Sequence, residues 1–540
     1  MKRWTALIVL AAALAGCSKA STTGTGQNPW TKPGVLRIAV QAEPKSLDPL
    51  LASDTTDNMI TRLMFEPLIS ANAAGDPVPI LVKTIPTRRN GGISNDGLTI
   101  TYHLRKGITW SDGVPLTSAD VKFTWQAIMN PNNDVISRHG YGNIASIDTP
   151  NPLTVIVHLK KRFSPFVNTF FAESDSPYTI VPKHILDKYP NVNQIPFNSE
   201  PVGAGPFRLA EWVKGDHLTL VPNKHFFLGA PKLKRIIIHF IPDENTSLTL
   251  LRTHNIDWMF EPSYETYATL KTIPGIVVRH NNINGYEGMQ INTAHPPLNN
   301  VLVRRALAYG IDKKELLQTL TFGEETMATE DLPNWMWAYN PHVTVYPYDP
   351  TKAQALLARA GWLPGPGGIR TKNGKRLSLL LVTNSSNATR YKEAQLIQRM
   401  LKHIGIAVQI KLFNTSLLFA PAGMGGILQK GTYDLALDGW FSGIDPDDSS
   451  NYECKNIPPG GYNYTRYCSK AMDAAQRDAL SHYSRAARKV AYAKVEDLLS
   501  RDVPQIFFWW DRQAQAVNPD FKGFHPNPVT ESWNAWQWSI

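Results

Sequence analysis

Apolar and polar positions alternate with a period of two along several short stretches of the chain and recur at helical spacing along others. Val35 to Val40 (VLRIAV) reads as the first strand and is broken by Ser46-Leu47-Asp48-Pro49. Asp54-Thr55-Thr56-Asp57 supplies short side-chain oxygens able to satisfy the free first-turn amides of a helix over Asn58 to Phe65. Leu98 to Leu104 (LTITYHL) is a period-two strand, with turns at Lys106-Gly107 and Trp110-Ser111-Asp112-Gly113. Thr117-Ser118-Ala119-Asp120 fits a capping box that opens a helix with Val121, Trp125 and Ile128 on one face. Strands are predicted at Thr154 to Leu159, His217 to Val221 and Arg235 to Ile241.

From Gly288 onward longer helices appear. Val303, Ala306, Leu307, Gly310 and Ile311 form one stripe, on which Arg304 and Arg305 read as surface charges; Ala353, Leu356, Leu357 and Ala360 form another, capped by Asp349, opened by Pro350 and stopped by Gly361. Ser378 to Thr383, a helix ending near Gly405, and Val408 to Leu412 make a β-α-β unit. It leads to Tyr433 to Asp448 (YDLALDGWFSGIDPDD), where Asp434 to Asp438 alternates like a strand and runs into Gly439-Trp440 and a turn rich in Gly, Asp and Pro. Two readings stand for this stretch: the wall of a ligand cleft, or a strand end with a core Trp and solvated aspartates. Helical segments between Lys470 and Ser500 precede Ile506 to Trp510 (IFFWW), a buried strand.

Length adds scale: 540 residues correspond to roughly three or four domains at about 150 residues each. Forty prolines and fifteen tryptophans suit a loop-rich protein with an aromatic-lined cleft. The net charge of +10 is spread without a basic run, which argues against a nucleic-acid binder. The N-terminus is more telling. Lys2-Arg3 followed by apolar Trp4 to Ala15 has the charge and length of a secretory leader and is too short to span a bilayer. Leu14-Ala15-Gly16-Cys17 resembles a bacterial lipobox, which implies cleavage after residue 16, lipidation of Cys17 and a flexible tether over residues 17–34. Cys454 and Cys468 then remain, either as a disulfide in an oxidising compartment or as two free buried thiols. A bond closing a loop of about 15 residues contributes roughly 3 kcal/mol.

Catalytic patterns are missing: the sequence has no HExxH, GxSxG, Walker loop or CxxC, and its fourteen histidines are scattered. An exported hydrolase using a carboxylate pair drawn from Asp445, Asp447 and Asp448 is the competing class, but adjacent aspartates in a Pro turn read better as solvated. Neither a catalytic residue nor a metal or other cofactor is expected.

Several ordered pieces resemble a known family: Tyr102-His103-Leu104-Arg105-Lys106-Gly107 with Trp110-Ser111-Asp112-Gly113 and Asp120-Val121; Pro201 to Phe207; Pro296-Pro297-Leu298 with Val303-Arg304-Arg305-Ala306-Leu307 and Ile311-Asp312; and Tyr348-Asp349-Pro350 to Gly361-Trp362. These are similar to the extracellular solute-binding proteins of family 5, the peptide- and nickel-type binding subunits of ABC importers. The resemblance implies an α/β, two-lobed periplasmic-binding-protein fold of type II, in its large three-domain form. Lobe I would comprise 35–70, 195–283 and 501–540, an inserted accessory domain 71–194, and lobe II 284–500, with hinge crossings near Asn284 and Ser500.

The implied role is capture of a peptide or another small solute by lobe closure. The closed form is then delivered to a membrane permease by a lipid-anchored monomer that does no chemistry on its cargo. The resemblance puts Trp440 and Phe441 on the cleft wall and matches Asp54, Thr55 and Thr56 to another cleft-facing segment, although helix capping explains these three equally well. In peptide binders of this family an aspartate three residues after the Trp holds the peptide's amino group; here that position is Gly443, and Asp445 is the candidate substitute. Without that carboxylate, nickel chelates, oligosaccharides and peptide-derived compounds stay open as ligands.

Overall fold

The computed structural model describes residues 28–52, 55–135, 137–174, 178–420, 425–459 and 461–540. Cys17, the leader and Asp54 lie outside the described residues. An 11-stranded mixed sheet runs through the molecule. From one edge its order is Ala407–Phe413, Ser378–Asn384, Leu435–Phe441, Val277–Ile291, Gln505–Val517, Trp258–Met259, Val35–Val40, Arg235–Phe240, His217–Pro222 and Phe207–Val213, with Thr326–Met327 paired to the side of Gln505–Val517.

The two long central strands, Val277–Ile291 and Gln505–Val517, hold this sheet together. They pair antiparallel in two stretches, Val277 to Asn282 with Arg512 to Val517 and Tyr286 to Gln290 with Gln505 to Trp510. The register shifts between Asn282 and Tyr286, so each long strand serves one half of the sheet with one end and the other half with the other. One hydrophobic core packs beneath the 35–40 side and continues under the three-stranded sheet Thr99–His103, Thr154–Leu159, Ile144–Asn151 and the helix Ser118–Met129. A second core lies on the 378–437 side, and a third joins the helices Lys470–Ser481 and Arg485–Asp502 to residues 332–338.

Local chemistry sets the element ends. At Thr117 the capping box forms: its side chain accepts from Ala119, and the Asp120 carboxylate accepts the Thr117 amide at 2.7 Å. The 350–359 helix opens on Pro350 beneath Asp349, whose carboxylate accepts the Lys352 amide at 2.8 Å. The first helix spans Thr55–Thr61, beginning inside the segment predicted as its cap and ending before Phe65. Arg304 is not a surface charge. Only 6% exposed, its guanidinium donates to the carbonyls of Leu298, Asp502 and Val503 and so staples the 301–310 helix to the end of Arg485–Asp502. Cys454 and Cys468 are joined, their sulfurs 2.19 Å apart.

Candidate ligand cleft

The strand predicted at 434–438 forms as Leu435–Phe441 and pairs antiparallel with the first long strand, Trp440 opposite Tyr286 and Phe441 opposite Gly285. It therefore ends where the register shifts between the two halves of the sheet. Phe441 lies over Gly285 and is 55% exposed; a Cβ at Gly285 would meet its ring at 2.7 Å. Half-buried Trp440 packs tilted against Tyr462 at 5.4 Å, beside a cluster of Tyr286, Phe507 and Trp510. Exposed Thr55 donates to Glu261 Oε2 at 2.9 Å, and Gln513 Nε2 holds the other oxygen of the same carboxylate. Thr56 is buried. Glu261 has φ of 48°, a left-handed backbone unusual for a non-glycine residue and one that often accompanies a functional constraint.

Beneath the strand end lies a charged network. Arg390 grips Glu287 in a two-pronged ion pair, Nε to Oε1 at 2.8 Å and Nη2 to Oε2 at 2.7 Å. Gly439 lies close against this pair: a Cβ there would stand 2.9 Å from Arg390 Nη2 and 3.0 Å from the Tyr286 carbonyl oxygen. Burial raises Asp438 to about 7, offset in part by Arg390 and by Gln290, which donates at 2.6 Å. Burial, reinforced by Glu287, likewise raises Asp511 to about 7. Burial alone would lower the Arg390 pKa; Glu287 reverses that and holds it firmly charged.

The loop after Trp440 is docked rather than open. Ser442 donates its amide to Asn284 O at 2.5 Å, Asn284 Nδ2 donates to Gly443 O at 2.9 Å, and Ile444 donates to Glu173 O at 2.8 Å. Gly443 touches the backbone of residues 173–174 so closely that a Cβ would lie 2.4 Å from Ser174 Cα. The position where the resemblance leads one to look for a carboxylate thus has no room for any side chain. Asp445, the candidate substitute, is 6% exposed and already engaged. Arg488 clamps both its oxygens, Nη1 at 2.7 Å from Oδ2, and Asn168 Nδ2 donates to Oδ2 at 3.1 Å. Burial would lower the Arg488 pKa, but the Asp445 carboxylate raises it above its ordinary value. This pair replaces the expectation of a free amino-group anchor at Asp445. Asp447 and Asp448, expected to be solvated, are buried as well.

A cavity of about 430 Å³ opens along the adjoining seam, walled by Arg88, Asn168, Trp337, Tyr483, Arg485 and Arg488 among others. None of Thr55, Thr56, Trp440 and Phe441 lines it. Asn284, Glu287, Arg390 and Arg488 were missed as site residues in the sequence. Only Asn284 carried a signal, its place at an expected lobe crossing; the ion-pair partners of the others lie 43 or more positions away.

Two sheet halves joined by a pair of long strands, with an aromatic strand end at their junction, define a two-lobed solute-binding protein. The chain belongs to the bacterial extracellular solute-binding proteins of family 5, whose family model (the family 5 middle region) matches residues 76–457. That family comprises binding proteins of ABC importers, not enzymes. It is similar to the oligopeptide-binding protein AppA of Bacillus subtilis, with 26% identity over 98% of this chain and 97% of that protein. The glutathione-binding protein GsiB of Pectobacterium atrosepticum is 27% identical over 91% of this chain and 92% of its own length. Among solved structures, NikZ from Campylobacter jejuni in complex with Ni(L-His) aligns with a TM-score of 0.79 at 27% identity, covering 94% of this chain and 100% of that one. The fold is accordingly the type II periplasmic-binding-protein fold of the peptide- and nickel-binding kind.

Proposed function

We propose that this protein captures short peptides or peptide-like solutes outside the cytoplasm and presents them, lobes closed, to the permease of an ABC importer, working as a monomer tethered through a lipid on Cys17. The observation that carries the reading is the junction itself: the strand Leu435–Phe441 ends on aromatic residues where two long strands pass between the halves of the sheet. Such a pair of strands can flex as a hinge, and a ligand favours closure only as far as it touches the closed state better than the open one. Residues 35–70 and 195–283 form lobe I with the end of the chain, 71–194 the accessory domain, and residues from 284 lobe II. The pairing of the second long strand supports placing the return crossing at Asp511. Thr55, Thr56, Trp440 and Phe441 are the proposed ligand contacts. Asp445 has a positioning role, holding the loop against Arg488.

Native mass spectrometry of freshly purified protein tests the reading by naming the copurified solute, and calorimetry with a peptide library measures it. Stoichiometric binding without product is expected; turnover of a peptide or glycan would defeat the proposal. A second reading, a metal chelate as cargo, is favoured by one observation: Gly443 leaves no carboxylate for a peptide amino group. Copurified nickel or iron would decide for it.

A further inference from the structure

Behind the cleft wall, three carboxylates from separate segments converge. Asp331 lies in the loop after Thr326–Met327, Asp448 immediately precedes the helix Ser449–Tyr452, and Glu496 sits within Arg485–Asp502. All three are buried, and one oxygen from each lies within 4.8 Å of the other two. Among the described residues, Asp331 Oδ1, Asp448 Oδ2 and both oxygens of Glu496 are enclosed with no hydrogen-bond donor other than one another's carboxyl protons. A fourth carboxyl, Glu330, is 1% exposed and interacts with Asp331 and Glu496; its Oε1 accepts the Asn340 amide at 2.8 Å, and its Oε2 has no donor. A neutral group points the same way. The wholly buried amide of Gln476 donates from Nε2 to Asp448 Oδ1 at 2.8 Å, which leaves its Oε1, on the same head group, without a donor.

Buried carboxylates without donors are costly unless a cation or protons compensate them. Carboxylate oxygens joined by an amide oxygen form the ligand set of a hard divalent ion. Enclosure discriminates between the common ones: magnesium keeps several waters and uses one or two carboxylates, whereas a dry cage built wholly of protein oxygens suits calcium. The geometry points to a buried calcium site formed by Asp331, Asp448 and Glu496, with the Gln476 amide oxygen as a further ligand.

The ion would be structural. It ties the turn that follows the cleft strand to the helices 470–481 and 485–502, and to a loop whose Glu330 carbonyl accepts Trp510 Nε1 at 2.8 Å. None of the proposed ligand contacts belongs to it. The test uses the purified full-length protein, stripped with a chelator, returned to calcium and desalted. About one equivalent of calcium should be retained, and the unfolding temperature should fall by several degrees on stripping and recover with calcium but not with equal magnesium. Glu496→Gln and Gln476→Ala should lower calcium retention at least tenfold. Wild-type protein that retains well below one equivalent after millimolar calcium overturns the site and leaves shared protons as the compensation, a measurement that depends on no variant. Undiminished retention by a folded Glu496→Gln protein overturns it too, because the ion then lies elsewhere.

Discussion

Removing the Asp445 carboxylate leaves Arg488 charged, buried and unpaired, a loss of about 3–5 kcal/mol by the usual cost of breaking an enclosed ion pair. Asp445→Ala should therefore lower the denaturant midpoint strongly. A change under about 1 kcal/mol would mean that the carboxylate is solvated and free after all. With Gly443 bare and Asp445 engaged, acetylating the amino terminus of a bound peptide should change its affinity less than about threefold, against the tenfold or more lost with a charge-assisted anchor. Gly443→Asp tests the same site sterically. The new Cβ would fall 2.4 Å from Ser174 Cα, so the loop must leave residues 173–174, and small-angle scattering of the ligand-bound variant should show a larger radius of gyration than wild type. At this scale the sequence was legible for residue type and not for partners: Trp440 and Phe441 could be placed at a strand end, whereas nothing local to Asp445 announces Arg488. The aspartates at 447 and 448 misled because a Pro turn ordinarily faces water, and here the turn is covered by the helices 470–481 and 485–502.

The elements that place the cleft are the two long strands, and their lengths were only half visible. Ile506 to Trp510 stands out as an apolar run, but the strand continues through Asp511-Arg512-Gln513, polar residues of which Arg512 and Gln513 pair with Asn282 and Asn281. Tertiary pairing extends the strand where hydrophobic pattern alone would end it. Helix starts were more legible, because a cap depends on three or four neighbouring side chains, as at Thr117 and Asp349. The disulfide acts on elements as well. It closes a 14-residue separation between the turn after the cleft strand and the start of the 470–481 helix, and its loss through Cys454→Ser with Cys468→Ser should cost roughly 3 kcal/mol. Urea unfolding of the double variant against oxidised wild type reads this directly; coincident curves would show that the loop is equally constrained without the bond.

Across the whole molecule, buried acids set the pH response. Burial raises Glu531 to about 8, with Glu261 adding to the effect, and burial raises Glu325 to about 9, with Asp511 adding to it. Both stand against an ordinary glutamate value of 4.5. In the window from 4.5 up to those values the folded protein holds protons that the unfolded chain has released. Stability therefore falls as pH rises through that window, by at most about 1.4 kcal/mol for each group over each pH unit. Glu325 accepts from Tyr264 at 2.7 Å and from the Arg512 amide at 2.6 Å, and Glu531 feels the charge of Glu261, to which Thr55 donates. Ionisation at high pH thus places charge in buried surroundings. The unfolding temperature should drop steadily from pH 5 to pH 9, and Glu531→Gln, neutral at every pH, should flatten part of that slope while leaving the pH 5 value nearly unchanged. A stability that rises over the same range would mean that these acids are ionised and paired in the folded protein, and that their surroundings are wetter than the packing indicates.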